Sequence, residues 1–285
     1  MTVAVSWPTM LLYAFALVLL LGVGALLALR WMDARADRAE WQRLRATQPA
    51  VPALFTPDMV ADLPEPARRF FLFAIQPGTP LRTVAELTME GEFSLGTREN
   101  PAYKVMRANQ ILAAPHGFVW KLTLPGPVPI SGSDAGTWTR FRILGLIPVA
   151  RAGGSEDHAR SAFGRYVAEA VFWTPAALLP GPGVSWAAVD ANTARVTVTH
   201  GGFTQAVDVA VDVDGRPHRV SFMRWTNANP ENVFRLQPFG GLLSDFRNVD
   251  GFMLPFQADA GNHIGTDDWF PFFKAKITAI RFPAP

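Results

Sequence analysis

Residues Thr9 to Leu29, TMLLYAFALVLLLGVGALLAL, contain no charged side chain. In hydrocarbon every backbone N–H and C=O must find its partner within the chain, so such a run can only be an α-helix. Its length is about the ~20 residues that cross a bilayer core. Trp7 and Tyr13 near one end and Trp31 at the other suit the two interfaces. A cleaved signal peptide would show a basic start, an apolar stretch of about 7–15 residues and a small-x-small site. Nothing basic precedes this run, and Ala34-Arg35-Ala36 lies behind Arg30, Trp31 and Asp33. The run therefore reads as an uncleaved single-pass anchor, with a lipid bilayer as its partner. Arg30, Arg35, Arg38, Arg43 and Arg45 follow it and no Lys or Arg precedes it. The positive-inside bias then puts the rest of the chain on the cytoplasmic side, of a bacterial inner membrane, with the periplasm as the alternative.

The division that follows is a tail and membrane helix over 1–29, a juxtamembrane helix and Pro-rich linker over 30–66, and a β-rich domain over 67–285. Arg30 to Ala46 has mixed charges at helical spacing, which fits a helix lying on headgroups or a solvated stalk. Gln48 to Pro66 is dense in proline, which disfavours helix and reads as a linker entering the domain.

Beyond residue 67 the hydrophobic period is two. Leu87, Met89, Phe93 and Leu95 fall on one face of a strand, with Glu86, Thr88, Glu90 and Glu92 on the other. Phe118, Trp120, Leu122 and Leu124 share a face in the same way. Asp214-Gly215 between alternating strands is a hairpin signal. Roughly ten such strands with short connections, and no βαβ alternation, predict an α+β fold that is mostly antiparallel β. A sheet this wide curls or closes. The expectation is a large curved sheet or half-barrel whose concave face is covered by a helix.

One segment supplies that helix. From about His158 to Phe172 the apolar positions Phe163, Tyr166, Val167, Ala170 and Val171 follow helical spacing, and Pro175 ends the run. Arg165 and Glu169 stand four apart on it, with Trp173 one further turn along. At the edge of a hollow, such a pair is a fixed polar anchor for a headgroup; otherwise it ties the helix to a strand.

LPEPARRFF (Leu63–Phe71), GFVW (Gly117–Trp120) and RYVAEAVFWTPAALLP (Arg165–Pro180) together resemble a bacterial family, the domain of unknown function numbered 6544. That family is marked by an Arg-Tyr-x-x-Glu helix followed by Trp-x-Pro. Arg165, Tyr166, Glu169, Trp173 and Pro175 match the mark, while Phe71 stands where the family more often has Tyr. The resemblance implies kinship over most of the chain from Trp41 onward and no assigned activity. In shape alone the expected fold is similar to the lipoprotein-carrier half-barrels of the bacterial envelope, which hold acyl chains.

Other chemistry is excluded more easily than assigned. With Cys 0, disulfides, thiolate metal sites, Cys nucleophiles and lipidated cysteines are out. A net charge of +2 offers no broad basic field for nucleic acid. The histidines lack metal-ligand spacing, and there is no Gly-x-Ser-x-Gly or Walker sequence, so no metal and no cofactor is expected. Ser131-Gly132-Ser133 reads as turn chemistry, and Ile143–Gly154 as a loop at the mouth of the hollow or as core.

The leading expectation is a membrane-anchored binder of a lipid or other hydrophobic ligand. Trp120, Trp138, Tyr166 and Trp173 would line or gate the hollow, with Arg165 meeting an anionic head and Glu169 beside it. The alternatives are a structural or protein-interaction module with a filled core, and an enzyme acting on a membrane-borne substrate with Glu169 as acid or base. No catalytic set is identifiable.

Overall fold

The apolar run and the basic segment after it form one uninterrupted helix, α1 (Trp7–Arg45), in the computed structural model, which describes residues 6–284. Its apolar part is long enough to cross a membrane, and none of it is buried among the described residues. A second helix, α2 (Glu65–Ala74), precedes the sheet. Six strands follow: β1 (Ala85–Ser94), β2 (Tyr103–Ala113), β3 (Gly117–Leu124), β4 (Ile130–Ala135), β5 (Trp138–Ile143) and β6 (Ile147–Gly153). Helix α3 (Glu156–Trp173) then interrupts. Seven more strands complete the chain: β7 (Val184–Ala188), β8 (Thr193–His200), β9 (Phe203–Val211), β10 (Pro217–Thr226), β11 (Arg235–Val249), β12 (Phe252–Asn262) and β13 (Phe270–Arg281).

Among the described residues the strands form one antiparallel sheet in the order β6-β5-β4-β3-β2-β1-β13-β12-β11-β10-β9-β8-β7. Two meanders thus meet where the first strand pairs with the last, Glu90 opposite Lys276. Every other neighbour is a sequence neighbour, so short turns suffice. The sheet curls until His116, in the β2–β3 turn, and His200, at the end of β8, stand edge to face with rings 5.3 Å apart. The bend requires close backbone approach: a Cβ at Gly91, in the middle of β1, would run into the Lys274 carbonyl, and its φ of 148° suits glycine alone.

The two faces of the curl are covered by different helices. Helix α3 lies on the concave face, nearest to β10 and β9. There Gly164 lets the helix settle against Gln205 and Phe222, which a Cβ would meet at 2.7 and 3.3 Å. Ser155 caps α3 by accepting from the His158 N–H at 3.2 Å, and Glu156 and Asp157 in the first turn favour its positive end. The last turns of α1 lie on the convex face, where Leu44 is sealed among Ile111, Val119, Ala135 and Trp138. This explains why β3 begins with consecutive buried residues, Phe118-Val119-Trp120, and returns to alternation at Lys121. Both faces are covered at its start, and only the concave one afterwards.

The segment after Arg30 is therefore held by the sheet. Asp33 is 4% exposed and accepts from Arg142 Nη2 and from Arg151 Nη1 and Nη2, the latter two at 2.6 and 3.0 Å. Arg140 adds a third cation at 3.3 Å. Burial alone would push the Asp33 carboxyl up, but the bonds from Arg151 and Arg142 and the charge of Arg140 more than reverse this and hold it below the usual range. Asp37 accepts from Ser133 Oγ at 2.8 Å, and Trp41 Nε1 donates to Glu86 at 2.9 Å. In the Pro-rich stretch that follows, Gln48 bonds Thr83, Val84 and Pro283 and Phe55 is fully buried.

Two local expectations fail. Ser131-Gly132-Ser133 is strand β4 rather than a turn, because Gly132 leaves room for β5 and the Ser133 hydroxyl is satisfied by Asp37 and by Trp138 Nε1. Most of Ile143–Gly154 is the edge strand β6 rather than a loop.

Candidate functional site

Helix α3 does not fill the concave face. Between it and strands from both meanders lies a cavity of about 450 Å³. The α3 residues on its wall are Arg165, Ala168, Glu169, Phe172 and Trp173, one face at intervals of three and four. The sheet contributes alternate residues from two strands, Trp120, Leu122 and Leu124 of β3 and Val220, Phe222 and Arg224 of β10, and the adjacent Phe272 and Phe273 from β13. The wall is overwhelmingly apolar and aromatic.

Its polar groups gather at one place. Arg165 Nε donates to Glu169 Oε1 at 2.7 Å and Nη1 to Asp134 Oδ2 at 2.7 Å. The remaining carboxylate oxygens are taken as well: Gln110 Nε2 donates to Glu169 Oε2 at 2.5 Å, and Thr139 Oγ1 to Asp134 Oδ1 at 2.6 Å. The Arg165 guanidinium also lies over the rings of Phe118 and Trp120, at 4.5 and 5.0 Å. Burial works against its charge, but Glu169 and Asp134 more than compensate, and its pKa lies above the ordinary arginine value.

Arg224 is different. It faces the same cavity from β10, and among the described residues it forms neither an ion pair nor a hydrogen bond. Its Nε is sealed from solvent without an acceptor, and its guanidinium lies 4.8 Å from the Phe239 ring centroid. Burial, with the Arg165 charge nearby, lowers its pKa to about 10, so it is a cation at neutral pH. The Trp120 indole N–H, also on this wall, lacks an acceptor too.

Of the residues singled out from sequence, Trp120, Arg165, Glu169 and Trp173 come together on the cavity wall. Trp173 is anchored there through Nε1 to the Pro255 carbonyl at 3.4 Å. Trp138 and Tyr166 are elsewhere. Trp138 lies in the convex-face cluster beneath α1, donating to Ser133. Tyr166 is off the cavity wall, packing on Phe118 and Phe163, where burial pushes its phenol pKa up. Arg165 is not a free cation for an anionic head, since it is already spanned by two carboxylates.

Asp134, Gln110 and Arg224 were missed. Asp134 lies on the strand taken for a turn, so its facing had no basis. Arg224 carried a usable signal: it continues the period-two face of Val220 and Phe222, an arginine where the pattern calls for an apolar side chain. Among the described residues no group of His, Asp and Glu is arranged to hold a metal ion.

The sequence profile of a family of unknown function, DUF6544, matches residues 53–275. No curated protein matches the chain. Two solved structures are similar over much of their length. A LolA superfamily protein from Nitrosomonas europaea is 11% identical, covering 76% of this chain and 92% of its own, with a TM-score of 0.40. An outer membrane lipoprotein-sorting protein domain from Vibrio parahaemolyticus is 12% identical, covering 70% and 85%, with a TM-score of 0.35.

Proposed function

The chain belongs to the family of unknown function DUF6544, which carries no activity over, and we propose from the cavity itself that the protein binds a hydrophobic or amphiphilic molecule, such as a lipid, between α3 and the concave sheet. The observation that carries this reading is the unfilled apolar volume. At about 450 Å³ it lies within the ~300–1,000 Å³ of small-molecule sites, and it has their composition, many apolar groups with a few convergent polar ones. Protein interiors are close-packed, and an empty apolar volume forfeits contacts that larger side chains would supply. In this reading α1 spans the membrane and keeps the cavity beside its source of ligand.

The test uses the full chain in lipid nanodiscs with a fatty acid bearing a photoreactive diazirine in its tail. Crosslinked peptides are expected from β3, β10 and α3 as well as from α1. Leu122, 3% exposed and on the wall, is the position to fill. Leu122→Trp is expected to lower labelling of the sheet at least fivefold while labelling of α1 persists and the apparent Tm holds. Labelling confined to α1, or labelling of β3 and β10 that Leu122→Trp leaves unchanged, would sink the reading.

A further inference from the structure

We infer that Arg224 is the anchor for an anionic head, so that the cavity's ligand is an amphiphile ending in an oxyanion, a carboxylate or a phosphate. This rests on the ligand-binding reading above. Five guanidinium N–H donors stand at the wall of an apolar cavity, and among the described residues no carboxylate engages them. The nearest candidates, Asp134 and Glu169, have all four oxygens occupied by Arg165, Gln110 and Thr139. Their combined charge exceeds that of Arg165 by one, which steadies Arg224 at a distance without satisfying its donors. A bidentate oxyanion would take two of them, and the shielded site makes that contact stronger than the same contact in water. The aromatic and aliphatic wall then takes the tail.

The experiment compares the diazirine fatty acid with its methyl ester, on the full chain in nanodiscs. The acid is expected to label the cavity strands at about tenfold lower concentration than the ester, and Arg224→Gln is expected to remove that preference by weakening the acid alone. Arg224→Lys, which keeps a charge, should retain part of it. Equal labelling by acid and ester in the unaltered chain overturns the inference and leaves a cavity for uncharged lipids. Failure of both probes to label the cavity overturns the ligand-binding reading as well. The acid–ester comparison in the unaltered chain decides the matter even if Arg224→Gln does not fold.

A separate set of observations concerns the β5–β6 turn. Strand β5 runs alongside α1 in the opposite direction: Trp138 lies by Leu44, Arg140 and Arg142 by Asp33, and Gly145 by Arg30, whose Nη1 would stand 3.1 Å from a Cβ there. Arg30 is the first residue after the apolar run, so the turn reaches the level at which α1 enters hydrocarbon. The tip is apolar and bare: Leu144 is 57% exposed, Ile147 45% and Val149 54%. Leu144 and Gly145 are the central residues of a turn closed by Leu146 N–H to the Ile143 carbonyl, both with positive φ. Asn-Gly is the low-cost choice at such a turn, and an exposed leucine with φ of 53° is costly in water. Ile130, on the cavity wall, pairs with Ile143 immediately before the tip, and Val149 belongs to the wall itself.

We propose that this hairpin tip seats in the bilayer beside α1 and forms the rim through which the cavity meets the membrane. Arg30 beside the tip, and Arg140, Arg142 and Arg151 gathered on Asp33 one turn further along α1, would then lie at headgroup depth, where anionic lipid favours them. Because the chain has no cysteine, a single bimane-labelled cysteine reports depth cleanly. In nanodiscs of phosphatidylcholine and phosphatidylglycerol, Leu144→Cys and Ile147→Cys are expected to be quenched by doxyl lipids and shielded from iodide. Val51→Cys, 92% exposed beyond the far end of α1, should behave in the opposite way. Labels at 144 and 147 that iodide quenches and doxyl lipids do not would overturn the proposal.

Discussion

Replacing Arg165 with methionine is expected to destabilise the protein by about 3 kcal/mol, the low end of the cost of breaking a buried ion pair by removing one partner. The methionine keeps most of the packing over Phe118 and Trp120, so the loss is electrostatic. Asp134 and Glu169, side chains 19% and 15% exposed, would face each other across the cavity wall with no cation between them. Arg224 is too far to make contact and already stands alone. For a chain of this size the apparent Tm should fall by roughly 6–12 °C, read by thermal unfolding of the full chain in nanodiscs. The triple variant Arg165→Met, Asp134→Asn, Glu169→Gln should recover part of that loss, since the two carboxylates are no longer left ionised without a partner, although Arg224 loses their support. If Arg165→Met unfolds at the same temperature as the unaltered chain, the triad is not the structural tie described here.

Asp33→Asn is expected to cost a similar amount, about 3 kcal/mol at neutral pH, because one buried carboxylate holds three arginines. The effect should be local as well as global. With that carboxylate neutral, the hairpin of β5 and β6 loses its tie to α1, and proteolysis between β5 and α3 should become faster. Since Asp33 titrates below its ordinary value in the folded chain, its contribution is present above the unfolded carboxyl's pKa and fades as pH falls through the lower folded one. The gap in apparent Tm between the unaltered chain and Asp33→Asn should therefore hold from neutral pH down to about 4 and close only as pH falls further. A gap that persists unchanged in acid would mean that packing around residue 33, rather than its charge, holds α1 to the sheet.

The same two residues show where sequence reading succeeds and where it stops. Period two in GFVWKLTL and in the strands around Asp214-Gly215, and period 3.6 from His158 to Phe172, identified elements whose ends agree closely with the structure, because alternation and helical spacing are local properties of the backbone. The uncharged run from Thr9 to Leu29 determined a helix for the same reason. A single helix among so many strands also implied that it covers a curved sheet, and it does. Family kinship was legible in Arg165, Tyr166, Glu169, Trp173 and Pro175.

What a side chain meets across the sheet was not legible. Trp138 and Trp120 look alike in their strands, yet one is on the convex face under α1 and the other on the cavity, because facing depends on register and on which helix covers each side. Arg165 read as one of a pair with Glu169, open to a headgroup or to a neighbouring strand, until β4 brought Asp134 beside it, and Asp33 read as one charge on a headgroup-lying or solvated helix until β5 and β6 brought three arginines to it. Both pairings join residues far apart in the chain, where no local period reports them. The sequence alone determined the membrane-length helix, the strands, the covering helix and the kinship. The tertiary structure decided which charges are paired and which one, Arg224, is left facing an unfilled apolar cavity, because pairing is set by distances that only the curl of the sheet brings about.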